Sequence, residues 1–174
     1  MFGTILISIC TLMHIYVSWR IYSILFVKQH VPIKIFIPLS LFLWVVFILG
    51  RIYGHRETGS LAWILELLGM NWMAVLFLTF LPLLLIDFVT LFGFAMPGLA
   101  ASLRGWAVIA GLTLSGIALF QGLRPPVVQD YEVRINGLPG EMDGTVIVAL
   151  SDLHLGPLLG ERWLKARMNQ VRAQ

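Results

Sequence analysis

The sequence contains little charge and almost no cysteine. Only 12% of its 174 residues are charged, whereas 59% are hydrophobic, and the mean hydropathy is +0.88. Since roughly one-quarter of the residues of a soluble domain are charged, this composition excludes a soluble protein over most of the length and indicates a membrane protein. Cys10 is the single cysteine and lies in an apolar segment, which excludes an intramolecular disulfide and a thiolate metal cluster.

The basic residues do not indicate a nucleic-acid partner. The formal net charge is +3 and the sequence pI is about 9.4, which invites that reading. The lysines and arginines lie scattered at the ends of the apolar segments, however, and form no continuous basic stripe. We therefore expect no nucleic acid among the partners, and we expect the lipid bilayer to be one.

Four apolar stretches are predicted to cross a bilayer as helices, and the first of them is about 26 residues long. A hydrocarbon core of about 30 Å requires about 20 helical residues. The predicted spans are residues 2–27, 35–49, 66–92 and 103–123, with a turn at 93–98. The first span lacks a charged leading segment and a small-residue cleavage site, so we expect it to remain as a span.

Polar side chains interrupt these spans. We expect His14 to be a hydrogen-bonded residue facing another helix, with a proton or ligand site as the alternative. Arg20 is expected to extend toward the interface, and Asn71 to form an interhelical hydrogen bond. Interfacial placement is favoured over an ion pathway for Glu66 and Asp87.

Small residues in the fourth span predict close helix packing. Gly111 and Ser115 have the small-xxx-small spacing that lets two helix backbones approach each other. Gly105 and Gly116 belong to the same group of small residues. Packing is therefore the expected role of these glycines.

Tandem prolines after Arg124 mark a domain boundary, which gives a membrane domain at 1–124 and a second domain at 125–174. In the second domain, 127–135 nearly alternates like a half-exposed strand, and 146–150 is an apolar, β-branched run typical of a buried strand. Residues 160–173 have the pattern of an amphipathic helix. A strand followed by a helix is the first half of a βαβ unit, so the predicted fold is four membrane helices followed by the incomplete start of an α/β domain.

Two candidate metal ligands follow the second predicted strand. Asp152 and His154 stand two residues apart, so a carboxylate oxygen and an imidazole nitrogen could reach one divalent cation. Manganese, iron and zinc all suit such ligands. The alternative is that Asp152 caps a turn and His154 is a surface residue.

The sequence Ser151-Asp-Leu-His-Leu-Gly156 resembles the opening motif of the calcineurin-like metallophosphoesterases. Residues 131–139 and Asp143-Gly144 resemble the lead-in of membrane-anchored members of the YkuE and YaeI type. The resemblance implies that Asp152 and His154 bind one of two adjacent divalent metal ions. It also implies hydrolysis of a phosphodiester or pyrophosphate, with a lipid-linked substrate such as UDP-diacylglucosamine as an example.

The rest of the family pattern does not occur in the sequence. The resemblance implies later Gly-Asp, Gly-Asn-His and Gly-His-x-His motifs, and none is found among the 174 residues. We therefore expect this chain to be the front end of a longer enzyme, with two metal ligands, no catalytic residue and no activity alone. The alternative is a non-catalytic membrane module that acts as an anchor or binds a partner.

The distribution of basic residues favours one orientation. Four spans place both termini on the same side of the membrane. The first and third turns carry Arg20, Lys28, Lys34 and Arg104, whereas Arg51, Arg56 and Arg124 lie on the opposite side. The excess favours the first and third turns in the cytoplasm, so the expected protein is an integral plasma (inner) membrane protein whose second domain is extracytoplasmic.

Overall fold

The computed structural model describes residues 2–54, 59–124, 127–151 and 160–172. The chain divides into two compact units, Met1–Leu123 and Arg124–Gln174. In the first unit the helices are α1 (Phe2–Tyr22), α2 (Leu25–His30), α3 (Ile33–Leu49), α4 (Ser60–Val89) and α5 (Pro97–Gly122). A π-helical turn, Gly50–Gly54, continues α3, and a 3-10 turn, Leu91–Gly93, follows α4.

Within the described residues, four helices are long and apolar enough to cross a membrane, as predicted: Gly3–Tyr22, Ile33–Gly54, Ser60–Val89 and Pro97–Gly122. Their bounds differ from the predicted ones at several ends. The first helix ends at Tyr22, five residues before the predicted residue 27, and the third begins at Ser60 instead of Glu66. Glu66 thus lies inside the third helix, where its side chain is buried.

The turn between α4 and α5 uses left-handed backbone. Leu91, Phe92 and Gly93 have φ angles of 48°, 57° and 95°, and only the glycine adopts such values without steric cost. The Thr90 carbonyl accepts hydrogen bonds from the backbone N–H groups of Gly93 and Ala95, at 3.0 and 3.1 Å. This turn reverses the chain at the position where the sequence predicted a turn.

Helix α4 is the central element of the first unit and contacts α1, α3 and α5. Leu76 and Leu83 on α4, Val17 on α1 and Ala107 on α5 form its buried core. Apolar side chains elsewhere on the bundle are largely exposed. An apolar outer surface of this kind suits contact with lipid chains.

Glycines set the closest helix contacts. A Cβ atom added at Gly111 would lie 2.7 Å from the Thr79 Cα atom and 2.9 Å from the Leu78 carbonyl oxygen. The close-packing role predicted for Gly111 is therefore confirmed, whereas Gly116 has no atom within 4 Å of such a Cβ. Gly50 and Gly69 make a second close contact between α3 and α4, which the sequence analysis did not single out.

We expect Gly111→Ala to destabilise the first unit by about 1–3 kcal/mol, the usual cost of overpacking. The atoms opposite Gly111 belong to the backbone of α4, so the new methyl group must push the two helices apart. The measurement is the free energy of unfolding in mixed detergent micelles. Gly116→Ala on the same helix is the matched control, and equal stability of the two variants would refute the role of Gly111.

The second unit contains the predicted helix but not the predicted strands. Helix α6 spans Glu161–Arg172, within the predicted range 160–173. Residues 127–151 contain one 3-10 turn, Gly140–Met142, and no strand. In the run 146–150, Val146 and Ile147 are 70% and 85% exposed. A strand needs a neighbour for its ladder hydrogen bonds, and within the described residues this run has none, so the start of an α/β domain is not seen.

Candidate functional site

The predicted metal ligands Asp152 and His154 lie outside the described residues. Within the part of the chain that the structure describes, no three His, Cys, Asp or Glu side chains are grouped so that they could hold a metal ion. A carboxylate and an imidazole fit part of a manganese, iron or zinc site by their chemistry. Their role in metal binding stays a prediction, and a complete site needs further ligands.

The first unit contains a buried ionic cluster formed by Tyr16, Arg20, Asp87 and Arg104. The carboxylate of Asp87 is fully buried and is contacted on both oxygens. Arg104 Nε donates to its Oδ1 atom at 3.0 Å, and Tyr16 donates to its Oδ2 atom at 2.6 Å. Arg20 Nε lies 2.5 Å from Oδ2 as an ion pair. One carboxylate thus joins α1, α4 and α5.

Each member of the ionic cluster lies near the same end of the bundle. Arg20 is in the last turn of α1, Asp87 is near the end of α4, and Arg104 is near the beginning of α5. Arg104 also donates to the Phe92 carbonyl oxygen at 3.0 Å. The Arg20 guanidinium carbon lies 3.8 Å from the centroid of the Trp19 ring, a cation–π contact that compensates part of its lost hydration.

Three charged residues that were expected at the interface are buried within the protein. Arg20, Glu66 and Asp87 are 4%, 7% and 0% exposed. The buried carboxylate of Asp87 is compensated by the charges of Arg20 and Arg104, and the buried guanidinium of Arg20 is compensated by Asp87. The sequence contained a usable signal for this cluster. Successive spans cross the membrane in opposite directions, so Arg20, Asp87 and Arg104 are expected at the same side of the membrane. The carboxylate is occupied by internal partners, so the ionic cluster acts as a structural link between helices.

A groove lies between α1 and α3. Its cavity volume is about 620 Å³, within the range of about 300–1,000 Å³ for small-molecule sites. Aromatic side chains form much of its wall: Trp19, Tyr22, Phe36 and Trp44. Ile15, Ile37 and Leu41 add aliphatic surface, so the groove is mainly apolar.

Five side chains at the groove form hydrogen bonds across the two helices. His14 Nε2 and Ser40 Oγ are 2.9 Å apart, and Ser40 Oγ is also 2.9 Å from Ser18 Oγ. The Trp44 indole N–H donates to Thr11 Oγ1 at 3.0 Å. The predicted hydrogen bond from His14 to another helix is therefore confirmed.

The predicted interhelical hydrogen bond of Asn71 is wrong. The Asn71 side chain donates to the Leu67 carbonyl oxygen at 2.8 Å, one turn earlier in α4. The amide therefore donates to a backbone carbonyl within its own helix.

Two known proteins are similar to part of this chain. A Bos taurus "Transmembrane protein with metallophosphoesterase domain" is 43% identical over 54 residues, a match that covers 31% of this chain and 12% of that protein. A Danio rerio protein of the same name is 35% identical over 65 residues, covering 37% of this chain and 15% of that protein. The chain thus spans only about an eighth of the length of these relatives.

No protein-family model matches the chain, and no solved structure matches it. The two partial matches support a relation to transmembrane proteins with a metallophosphoesterase domain. They do not distinguish the YkuE and YaeI type within that relation. The four apolar helices agree with the transmembrane part of the relatives' name.

Proposed function

We propose that this chain is the membrane-embedded beginning of a metal-dependent phosphoesterase. The observation that carries the proposal is the similarity to two relatives whose name joins a transmembrane region to a metallophosphoesterase domain. The motif at residues 151–156 supports it, because its Asp and His are metal-ligand types placed after an apolar run. The reaction class is hydrolysis of a phosphodiester or a pyrophosphate.

In this proposal Asp152 and His154 hold one of two divalent metal ions, which are manganese, iron or zinc. A pair of such ions polarises a phosphoryl oxygen and supplies a metal-activated water. Asp152 contributes a hard oxygen ligand, and His154 contributes a neutral imidazole nitrogen. The second ring nitrogen of His154 is then free to donate a hydrogen bond that fixes the orientation of the ring.

The membrane helices suggest the substrate class. Asp152 lies 30 residues after Gly122, the last residue of α5. The phosphoesterase unit is therefore tethered to the bilayer. We infer a phosphoester substrate that is itself linked to a lipid, of which UDP-diacylglucosamine is one example.

The test is hydrolysis of bis(4-nitrophenyl) phosphate by the full-length product of the native gene, purified in detergent. We expect hydrolysis that is lost on treatment with EDTA and restored by manganese, iron or zinc, because the reaction needs bound metal. Hydrolysis that chelation does not change would overturn the metal-dependent mechanism. No hydrolysis with any of the three metals would favour a non-catalytic membrane module instead.

A further inference from the structure

The groove between α1 and α3 has the length of one bilayer leaflet. Along α1 it extends from Thr11 to Tyr22, which is about 16 Å at 1.5 Å per helical residue. This is about half of a hydrocarbon core of about 30 Å. Trp19 and Tyr22 lie toward the end of α1, where such side chains commonly mark the membrane interface.

The wall of the groove suits a hydrocarbon chain. Ile15, Ile37 and Leu41 line it and are 59%, 57% and 56% exposed. The hydroxyl groups of Ser18 and Ser40 hydrogen-bond to each other, so an occupant need not supply a partner for either of them. An apolar chain that covers these exposed residues would therefore lie against mainly apolar surface.

The segment of chain that links α1 to α3, between the groove residues Tyr22 and Ile33 and just beyond, carries positive charge. Lys28 lies in α2, and Lys34 follows Ile33, a groove residue, at the beginning of α3. Both lysines are exposed, and none of the described acidic side chains forms an ion pair with either of them. The first 56 residues of the sequence contain no acidic residue, so this part of the chain offers no carboxylate to these lysines.

We propose that the groove between α1 and α3 binds one anionic glycerophospholipid. One acyl chain lies between Ile15, Ile37 and Leu41, and the phosphate lies near Lys28 and Lys34. Charge complementarity selects the anionic headgroup, since each lysine near an anionic headgroup contributes about 1 kcal/mol. This site belongs to the membrane unit and does not depend on the proposed hydrolysis.

The test is native mass spectrometry of the full-length protein with phosphatidylglycerol or phosphatidylcholine of identical acyl chains. EDTA is present throughout, so that metal-dependent hydrolysis cannot consume the probe. We expect one retained phosphatidylglycerol and weaker retention of phosphatidylcholine, a difference that falls as salt is raised. Equal retention of phosphatidylglycerol and phosphatidylcholine would show that the protein carries only unselected bilayer lipid, and this result would overturn the proposal.

Two variants separate the charge from the groove. The double substitution Lys28→Gln and Lys34→Gln is expected to weaken phosphatidylglycerol binding about 30-fold, since two lysines contribute about 2 kcal/mol and about 1.4 kcal/mol is tenfold. Ile37→Trp should fill the groove and remove the retained lipid. The controls are Lys165→Gln on α6 and Ile109→Trp on α5, each at an exposed side chain.

The control variants distinguish lipid binding in the groove from lipid retention elsewhere on the protein. Both control variants should bind phosphatidylglycerol like the unchanged protein. If the Ile37→Trp variant retained as much lipid as the Ile109→Trp variant, the groove would not be the lipid-binding site. A lipid-free dimer that Ile37→Trp converts to a monomer would also overturn the proposal, because a second copy of the chain would then cover the groove.

Discussion

Replacement of Asp87 by alanine is expected to destabilise the membrane unit by about 3–5 kcal/mol, the usual cost of removing one partner from a buried ion pair. The substitution leaves Arg20 and Arg104 buried without their shared carboxylate, at 4% and 7% exposure. It also removes the acceptor of the Tyr16 hydroxyl, which donates to Asp87 at 2.6 Å. Since stability is often only about 5–15 kcal/mol in total, this loss is a large fraction of it.

The measurement for Asp87→Ala is unfolding in mixed detergent micelles, followed by tryptophan fluorescence. Asp87→Asn should be destabilised as well, because it retains the size of the side chain but not its charge. Asp130→Ala removes an exposed carboxylate and should change stability by less than about 0.5 kcal/mol. If the Asp87→Ala and Asp130→Ala variants were equally stable, this result would contradict the view that the ionic cluster holds α1, α4 and α5 together.

Replacement of Asp152 by alanine is expected to lower metal-dependent phosphodiester hydrolysis by on the order of 10³ or more. Loss of a hydrogen-bond partner behind a metal ligand costs about 10–100-fold, and loss of the ligand itself should cost more. The rate is measured on the full-length protein with bis(4-nitrophenyl) phosphate. Asp143→Ala, which removes an exposed carboxylate in the same unit, is the control, and turnover of Asp152→Ala within twofold of that control would refute the role of Asp152.

The four spans could be predicted from sequence because length and hydropathy are local properties. A helix satisfies its own backbone hydrogen bonds, so an apolar run of sufficient length needs no distant partner to form one. The small-residue spacing at Gly111 was likewise visible in the sequence, since small residues let helix backbones approach. The structure confirms both features.

The ionic cluster could not be read from the separate segments that form it. A lone Arg20 near the end of a span is compatible with extension to the interface and with pairing inside the bundle. Only the joint position of Asp87 and Arg104 at the same end of the bundle decides between these outcomes. Pairing across three helices is a tertiary property that local patterns do not contain.

The second unit shows the same distinction between local and tertiary information. Helix α6 forms within the predicted range, and Lys165 Nζ lies 2.6 Å from Glu161 Oε1 one turn away. The apolar run 146–150 needs hydrogen bonds from neighbouring strands before it can become a strand. The predicted ligands Asp152 and His154 lie just beyond that run, outside the described residues, so their geometry stays a prediction.

The most direct measurement is the number of metal ions bound per chain in the full-length protein made from its native gene. Elemental mass spectrometry of the detergent-purified protein, after removal of free metal, gives this number. The account predicts two ions of manganese, iron or zinc per chain, and a loss of at least one ion in Asp152→Ala but not in Asp143→Ala. A protein that binds none of these metals under any loading condition would contradict the account.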